Sequence, residues 1–389
     1  MGDFNMRVLF ITHYVGYYGA NKALLQLIMD LKEKKISPIV LVPFDGQFCK
    51  VLESNNIEYV IKNFHNWRYD SKKNKFAIRY LKLVYYLFCD FLNILSFYRT
   101  LKRKKISLIH TNSSMIPIGG IMAKLLRIPH VWHLREFGEG MHYDNYFYFG
   151  KKLSGKIMSY TSDSVLAISQ AIKVYYSPII RGKEIEIIYD GIPIEKVKLA
   201  IPFKKTDKKI NVCIVGRVSS GKNQLEALKA LKFLGDSILE KMSLYVIGDG
   251  DTEYLDSLKD FVIKNELTSY VKFLGYRDDV YSLLEKMHIG VVSSEYEGFG
   301  LVTIEYMLHK VAVIASNSGA NLELIQNEKN GLIYSLGDYV ELASRIELLV
   351  NNLTFKDILV QNAFDYAKEK FDSKKSAKEI FSIYNKIIK

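Results

Sequence analysis

The first indication of the fold class is the segment at 210–224, which reads INVCIVGRVSSGKNQ. Its first six residues are apolar apart from Asn211, which is typical of a buried parallel strand. A glycine turn then leads into a helix predicted to begin near Gln224. Open α/β sheets bind ligands at the carboxyl ends of their strands, where helix N-termini attract phosphate. Gly216, Arg217 and Lys222 therefore stand where a diphosphate would bind, although the spacing is not that of a Walker loop.

Further along the chain, two more predicted strands end in glycine turns, VIGDG at 246–250 and FLGY at 273–276. The segment at 293–305, SSEYEGFGLVTIE, then carries Glu297 and Glu305 eight residues apart. Two such carboxylates share one face of a helix if both are helical, but we expect Glu297 in the turn before the helix. Four strand ends thus bring glycines and charged side chains to one predicted edge of a sheet.

Outward from this region, strands and helices alternate along both halves of the chain, which predicts a parallel sheet in each half. The predicted strands lie at 8–11, 38–42, 59–61, 108–110, 130–133 and 164–168, and then at 210–215, 244–247, 271–274, 290–292 and 311–315. The final segment, 373–388, alternates charged and apolar residues at helical spacing. A length of 389 residues fits two domains.

Taken together, these segments resemble glycosyltransferase family four, a family of retaining enzymes with the GT-B fold, along nearly the whole chain. The matching residues are Gly216-Arg217 with Lys222, Gly248-Asp249-Gly250, 273–276, Glu297 with Glu305 in a Glu-x7-Glu pattern, and Gly319 with Glu323 and Gly331. The resemblance implies an α/β protein with two Rossmann-like domains facing each other across a cleft. We expect an acceptor-binding domain at 1–193, a linker at 194–209, a donor-nucleotide-binding domain at 210–370 and a terminal helix at 371–389 that closes the structure.

Three local departures from the family pattern stand out. The first glycine of the usual Gly-Gly turn is replaced by Tyr18, while Gly19 keeps the second. The glycine that usually ends the helix after Glu305 is replaced by Lys310. Asp190 stands where asparagine is usual, a change that turns tolerate.

The resemblance also implies roles for individual residues. Arg217 and Lys222 would stabilise the leaving diphosphate, since cations aimed at developing charge favour the transition state. Glu305 would bind the ribose hydroxyls, and Glu297 would contact the transferred sugar. The remaining predicted donor-binding positions are Gly19, Gly216, Gly248, Tyr276, Arg277, Gly298, Phe299, Gly300 and Leu301. His133, at the end of a predicted strand, is the catalytic candidate on the acceptor side, although a buried histidine bonded within the core would give the same pattern.

The predicted reaction is transfer of a sugar from a nucleoside-diphosphate sugar, with UDP favoured, to a glycan or lipid-linked acceptor in bacterial capsule or lipopolysaccharide synthesis. No metal-ligand cluster is recognised, and two cations suffice to neutralise a diphosphate, so neither a metal nor a cofactor is expected. Two alternatives remain open: a nucleotide- or nucleic-acid-binding module without activity, and a GT-B sugar-nucleotide epimerase. No RNA-binding signature accompanies the basic residues, so no nucleic-acid partner is expected.

Charge is concentrated in the first half, where residues 1–200 carry 29 Lys and Arg against 16 Asp and Glu, while residues 201–389 carry 25 against 26. This asymmetry indicates either a solvated surface or a contact with something anionic, such as phospholipid. The apolar segment at 83–97 is short for a membrane span and contains Asp90, so we expect a core helix or an interfacial membrane contact. With no signal sequence recognised, the predicted location is cytoplasmic, at the inner face of the membrane if the contact forms.

Overall fold

The computed structural model describes residues 6–70, 76–138, 145–197 and 209–388. The chain divides into two compact units, one made of Met1–Gly191 with Ser373–Lys389 and the other of Ile192–Asp372. The last helix thus belongs to the first unit, although it follows the second in sequence. Most of the linker predicted at 194–209 lies outside the described residues.

The strands and helices of the described residues are numbered along the chain. The strands are β1 Met6–Ile11, β2 Ile36–Val42, β3 Glu58–Ile61, β4 Arg68–Asp70, β5 Leu108–Thr111, β6 His130–Leu134, β7 Asn145–Phe147, β8 Ser164–Ala167, β9 Ile185–Ile187, β10 Ile210–Val215, β11 Met242–Ile247, β12 Val271–Gly275, β13 Ile289–Val292, β14 Ala312–Ser316 and β15 Leu332–Tyr334. The helices are α1 Gly19–Lys32, α2 Gln47–Ser54, α3 Phe76–Arg103, α4 Ile118–Leu126, α5 Gly150–Thr161, α6 Gln170–Tyr176, α7 Gln224–Leu231, α8 Asp236–Leu239, α9 Thr252–Lys264, α10 Val280–Leu284, α11 Leu301–Leu308, α12 Asn321–Leu324, α13 Tyr339–Asn351, α14 Leu353–Lys370 and α15 Ser373–Ile387.

Each unit is built on one parallel sheet. The first sheet has the order β3-β2-β1-β5-β6-β8-β9, and the second has the order β12-β11-β10-β13-β14-β15. The central strands are buried on both faces, which is why they appear in the sequence as continuous apolar runs. The three-residue strands β4, β7, β9 and β15 were not predicted, because three residues are too few to show a periodicity.

Helices cover both faces of the first sheet. Side chains of α3 and α4, including Phe97, Leu101 and Met122, pack on one face, and side chains of α1, α2 and α15 pack on the other. The hydroxyl of Tyr384 on α15 lies 2.7 Å from Nδ1 of His110 on β5. Both groups are buried, so this bond fixes the end of the chain to the core of the first unit.

The helix α3 is longer than the apolar segment predicted at 83–97. Residues Leu81–Arg103 are long and apolar enough, by length and composition, to cross a membrane, and only 17% of the most apolar stretch is buried. The side chains of Ile94, Phe97 and Leu101 are nevertheless buried against the first sheet. The helix therefore covers the sheet with one face and leaves the other exposed.

Candidate functional site

The neighbouring strands β10, β11 and β12 of the second sheet each end at or directly before a glycine, and backbone hydrogen bonds join these strand ends. The amide of Gly216 donates to the carbonyl of Ile247 over 3.0 Å, and the amide of Gly248 donates to the carbonyl of Gly275 over 2.8 Å. A Cβ atom on Gly248 would lie 1.9 Å from the carbonyl oxygen of Gly216, and its φ is +140°. Glycine is therefore required at position 248, because both the backbone conformation and the space exclude a side chain.

We expect Gly248→Ala to lower the free energy of unfolding by about 1–3 kcal/mol or more, since strain and a backbone clash add. The matched control is Gly235→Ala, where a Cβ atom would meet nothing within 4 Å and φ is −67°. Thermal or denaturant unfolding of both variants checks the prediction. Equal stabilities would show that the strand ends can rearrange at little cost.

The turn after β10 is held by bonds on both sides. The amide of Val218 donates to the carbonyl of Asp249 over 2.8 Å, and the side-chain amide of Gln224 donates to the carbonyl of Arg217 over 2.9 Å. A short 3-10 turn at Ser220–Lys222 then leads into α7, which begins at Gln224 as predicted. The side chain of Arg217 is exposed, so its guanidinium is accessible from solvent.

Lys222 and Glu297 form the central ion pair of this edge. Nζ of Lys222 lies 2.7 Å from Oε2 of Glu297, and Oγ of Ser294 donates to the same oxygen over 3.0 Å. The Glu297 side chain is 9% exposed and the Lys222 side chain 35% exposed. Oγ of Ser293 donates to the carbonyl of Lys222 over 3.0 Å. The pair therefore joins the turn after β10 to the loop after β13 and presents one partly accessible ammonium group.

A second segment shapes the loop that carries Glu297. The amide of Ala320 donates to the carbonyl of Glu297 over 2.9 Å. A Cβ atom on Gly319, whose φ is +54°, would lie 2.2 Å from that carbonyl oxygen. The hydroxyl of Ser316 donates to the carbonyl of Ser294 over 2.7 Å. These contacts explain why glycine occurs at position 319, because the backbone of the Glu297 loop passes directly over it.

Glu305 lies on α11, which begins at Leu301, while Glu297 precedes the helix as predicted. The hydroxyl of Tyr281 donates to Oε1 of Glu305 over 3.3 Å, and Glu305 is half-buried. Lys310, at the position where the family pattern has glycine, adopts φ +57°. The helix therefore ends in a left-handed conformation with lysine in place of the glycine.

The other predicted donor-binding residues occupy three places. Gly298, Phe299 and Gly300 form the turn before α11, where Gly300 has φ +91°. Tyr276 and Arg277 are exposed after β12, and Arg277 makes two 2.7 Å bonds to Asp279. Gly19 belongs to the first unit, where it begins α1. Sequence reasoning missed Ser293, Ser294 and Tyr281. The two serines directly follow the strand predicted at 290–292, and this position could have identified them as site residues.

His133, the candidate predicted on the acceptor side, lies in the core of the first unit, and its role stays a prediction. The residue is 1% exposed, and its Nδ1 lies 3.2 Å from Nε2 of His110. The other ring nitrogen of His110, Nδ1, bonds to the hydroxyl of Tyr384. Burial holds the pKa of His133 well below 6.5 and lowers the pKa of His110 to about 3. Burial therefore favours the neutral form of both rings, which form part of a buried network that anchors α15.

The first unit contains a pocket of about 310 Å³ that sequence reasoning did not find. Its lining includes His13 after β1, Arg68 on β4, and Lys82 and Tyr86 on α3. The guanidinium of Arg68 donates to three neutral oxygens, from Phe137, Ser114 and Tyr176. Burial lowers the pKa of His13, and Arg68 and Lys82 contribute two cationic side chains to the lining.

Two family descriptions match the two halves of the chain. "Glycosyltransferase Family 4" matches residues 17–196, and "Glycosyl transferases group 1" matches residues 198–366. An uncharacterized glycosyltransferase of Methanocaldococcus jannaschii is 30% identical over 285 residues, which cover 70% of this chain and 72% of the relative. The chain therefore belongs to the glycosyltransferases with the GT-B fold.

Two further proteins are similar over almost the whole chain. A Campylobacter jejuni α-1,4-N-acetyl-D-galactosaminyltransferase, whose name gives an undecaprenol-diphosphate-linked glycan as its substrate, is 26% identical and covers 94% of both chains. The crystal structure of Anabaena Alr3699/HepE in complex with UDP and glucose has a TM-score of 0.81 and 21% identity, covering 98% of this chain and 100% of that one. The similarity to the HepE structure establishes the fold.

Proposed function

We propose that this glycosyltransferase moves a sugar from a UDP-sugar to a glycan or lipid-linked acceptor, with retention of anomeric configuration, in bacterial cell-surface polysaccharide synthesis. The observation that carries the proposal is the pairing of Lys222 with Glu297 beside the glycine turns at 216 and 248. That edge combines partly exposed glycine backbone, a partly accessible ammonium and a carboxylate, which are the groups that a diphosphate and a sugar require.

Each group has a distinct part in the proposed reaction. The bond between the sugar C1 and the diphosphate oxygen breaks, and the acceptor hydroxyl oxygen bonds to C1 on the same face while its proton passes to the departing phosphate. Arg217 and Lys222 stabilise the negative charge that develops on the diphosphate. Glu297 contacts the sugar, and Glu305 binds the ribose hydroxyls. The backbone at Tyr276 and Arg277 frames the base.

The UDP preference and the acceptor class draw support from the relatives. The HepE structure contains UDP, and the Campylobacter enzyme is named for an acceptor on undecaprenol diphosphate. We propose that the acceptor binds to the first unit, where the pocket lined by Arg68 and Lys82 offers two cations and several aromatic rings. A cytoplasmic location at the inner membrane face follows from such a lipid-linked acceptor.

The test is a transfer assay with radiolabelled UDP-sugars and an undecaprenyl-diphosphate glycan, run with and without excess chelator. We expect a labelled lipid product of retained configuration at an undiminished rate in chelator, because two cations replace a divalent ion at the diphosphate. Loss of most turnover in chelator would contradict the metal-free scheme. UDP that raises the melting temperature without any transfer would indicate a nucleotide-binding module, and an altered free sugar nucleotide would indicate an epimerase.

A further inference from the structure

The outward face of α3 is apolar over four turns. Large apolar side chains recur there at intervals of three or four residues, and we call them the apolar stripe: Leu81, Tyr85, Phe88, Leu92 and Leu95. These side chains and their neighbours at 84, 87 and 91 are 44–72% exposed. Side chains at this spacing share one side of a helix. Such a run of large apolar residues in solvent is unusual for a soluble surface and indicates an interaction site.

In the last two turns of α3, basic residues continue the same side of the helix as the apolar stripe. Arg99, Lys102 and Arg103 follow Leu95 at the same helical spacing and are exposed. On the opposite side of α3, Ile94 and Phe97 are buried in the core of the first unit. Spanning a membrane would remove these side chains from the sheet, so the helix suits a contact with a membrane surface and not a crossing of it.

The neighbouring helices extend the same kind of surface. Leu125 on α4 is 51% exposed, and Leu153 and Tyr160 on α5 are 48% and 76% exposed. Nζ of Lys124 lies 5.2 Å from the centre of the Tyr160 ring, so cations and apolar groups interleave here. We call the outward sides of α3, α4 and α5 the α3–α5 face.

Charge on the α3–α5 face is almost entirely of one sign. Among the side chains that the structure describes, the three helices carry eight Lys and Arg and a single carboxylate, Asp90, which bonds to His65 over 2.8 Å. On the opposite side of the sheet, α1, α2 and α15 carry seven Lys and Arg and three carboxylates. None of the large exposed apolar residues in the described part of the chain lies within those three helices.

We propose that the α3–α5 face docks on the surface of an anionic lipid bilayer, with the apolar stripe of α3 at the boundary between headgroups and acyl chains. Such a surface offers apolar depth for the stripe and lipid phosphates for the surrounding cations. A second copy of the chain fits less well, because pairing two such faces would bring like charges together.

This inference adds a membrane partner to the proposed transfer to a lipid-linked acceptor, but it rests on surface residues remote in sequence from the donor site. Vesicle binding without transfer, or transfer to a water-soluble acceptor without vesicle binding, would therefore separate the two proposals. The first result would leave the docking surface in place, and the second would overturn it.

The experiment is sedimentation of the full chain with vesicles of phosphatidylcholine alone or mixed with phosphatidylglycerol. We expect binding to the anionic vesicles only, weakened by added salt. Lys102→Glu/Lys152→Glu, which alters two exposed cations of the α3–α5 face, should weaken binding by about tenfold or more. Phe88→Ser/Leu92→Ser should also weaken it, since the apolar contribution to binding scales with buried area.

The matched control is Lys375→Glu/Lys378→Glu, which makes the same charge change on α15, on the opposite side of the sheet. It should retain most of the binding, and equal loss would show a response to net charge alone and overturn the proposal. Equal binding to neutral and anionic vesicles, or to neither, would also overturn it. A dimer in light scattering that Phe88→Ser/Leu92→Ser converts to monomer would assign the face to a second copy. Unchanged melting temperatures of the variants confirm that each is folded.

Discussion

Replacing Lys222 with alanine should lower the turnover number by about 10²–10³-fold, the usual loss when one preorganised charge-stabilising group is removed from a reaction site. The ammonium of Lys222 lies 2.7 Å from Glu297 and 35% of its side chain is exposed, so it is held in place yet open to a ligand. Because it acts on charge that develops as the diphosphate departs, substrate affinity should change much less than turnover. Steady-state and single-turnover kinetics with a UDP-sugar measure both quantities.

The same substitution leaves Oε2 of Glu297 bonded to the hydroxyl of Ser294 but without its cation, and this should lower the free energy of unfolding by about 1–3 kcal/mol. Lys222→Ala/Glu297→Gln removes that unpaired charge and should recover stability without recovering turnover. Lys259→Ala, which alters a 47% exposed lysine on α9, should affect neither property. Recovery of turnover in the double variant would mean that Lys222 acts only by supporting the fold.

Glu305→Ala should raise the dissociation constant for UDP about tenfold or more, because a charge-assisted hydrogen bond contributes roughly 1.5–3 kcal/mol. Glu297→Ala should leave the affinity for UDP nearly unchanged while it cuts transfer, since Glu297 is assigned to the sugar, which UDP lacks. Titration calorimetry with UDP and with the intact UDP-sugar, beside the transfer assay, separates these outcomes.

The control for this pair is Glu347→Ala, an exposed carboxylate on α13 of the same unit, which should change neither affinity nor transfer. If Glu305→Ala and Glu297→Ala weaken UDP binding equally, the division of roles between the two carboxylates is wrong. If each variant only lowers the melting temperature, both carboxylates support the helix and its preceding loop, and neither contacts the donor.

Much of the donor edge was predictable because its signals are local. The apolar run at 210–215, the turn that follows it and the start of α7 at Gln224 agree with the structure, since each depends on residues within one strand or one helical turn. Strand limits were less well predicted: β1, β2 and β11 begin two residues earlier than expected. The sheet extends each strand as long as a neighbour continues to pair with it, and one segment does not reveal that.

The burial and the contacts of individual side chains could not be predicted from the local sequence pattern. A histidine at the end of a parallel strand can face solvent or the core, and the position of α15, which returns from the far end of the sequence, places His133 in a buried network with His110 and Tyr384. The apolar segment in α3 presented the same ambiguity, because a helix that is apolar all round can be buried, membrane-facing or both. Packing of Phe97 against the sheet and exposure of Phe88 resolve it.

Local sequence pattern was enough to predict the alternation of strands and helices, the parallel sheets that follow from it, and the types of residue at the strand ends. Which of those residues contact one another depends on the tertiary structure. Lys222 and Glu297 are 75 positions apart, and Gly319 lies beneath the Glu297 carbonyl only because β14 pairs with β13 in its particular register. Periodicity is a property of neighbours in sequence, whereas such contacts depend on strand order and register, which the packing of the whole unit fixes.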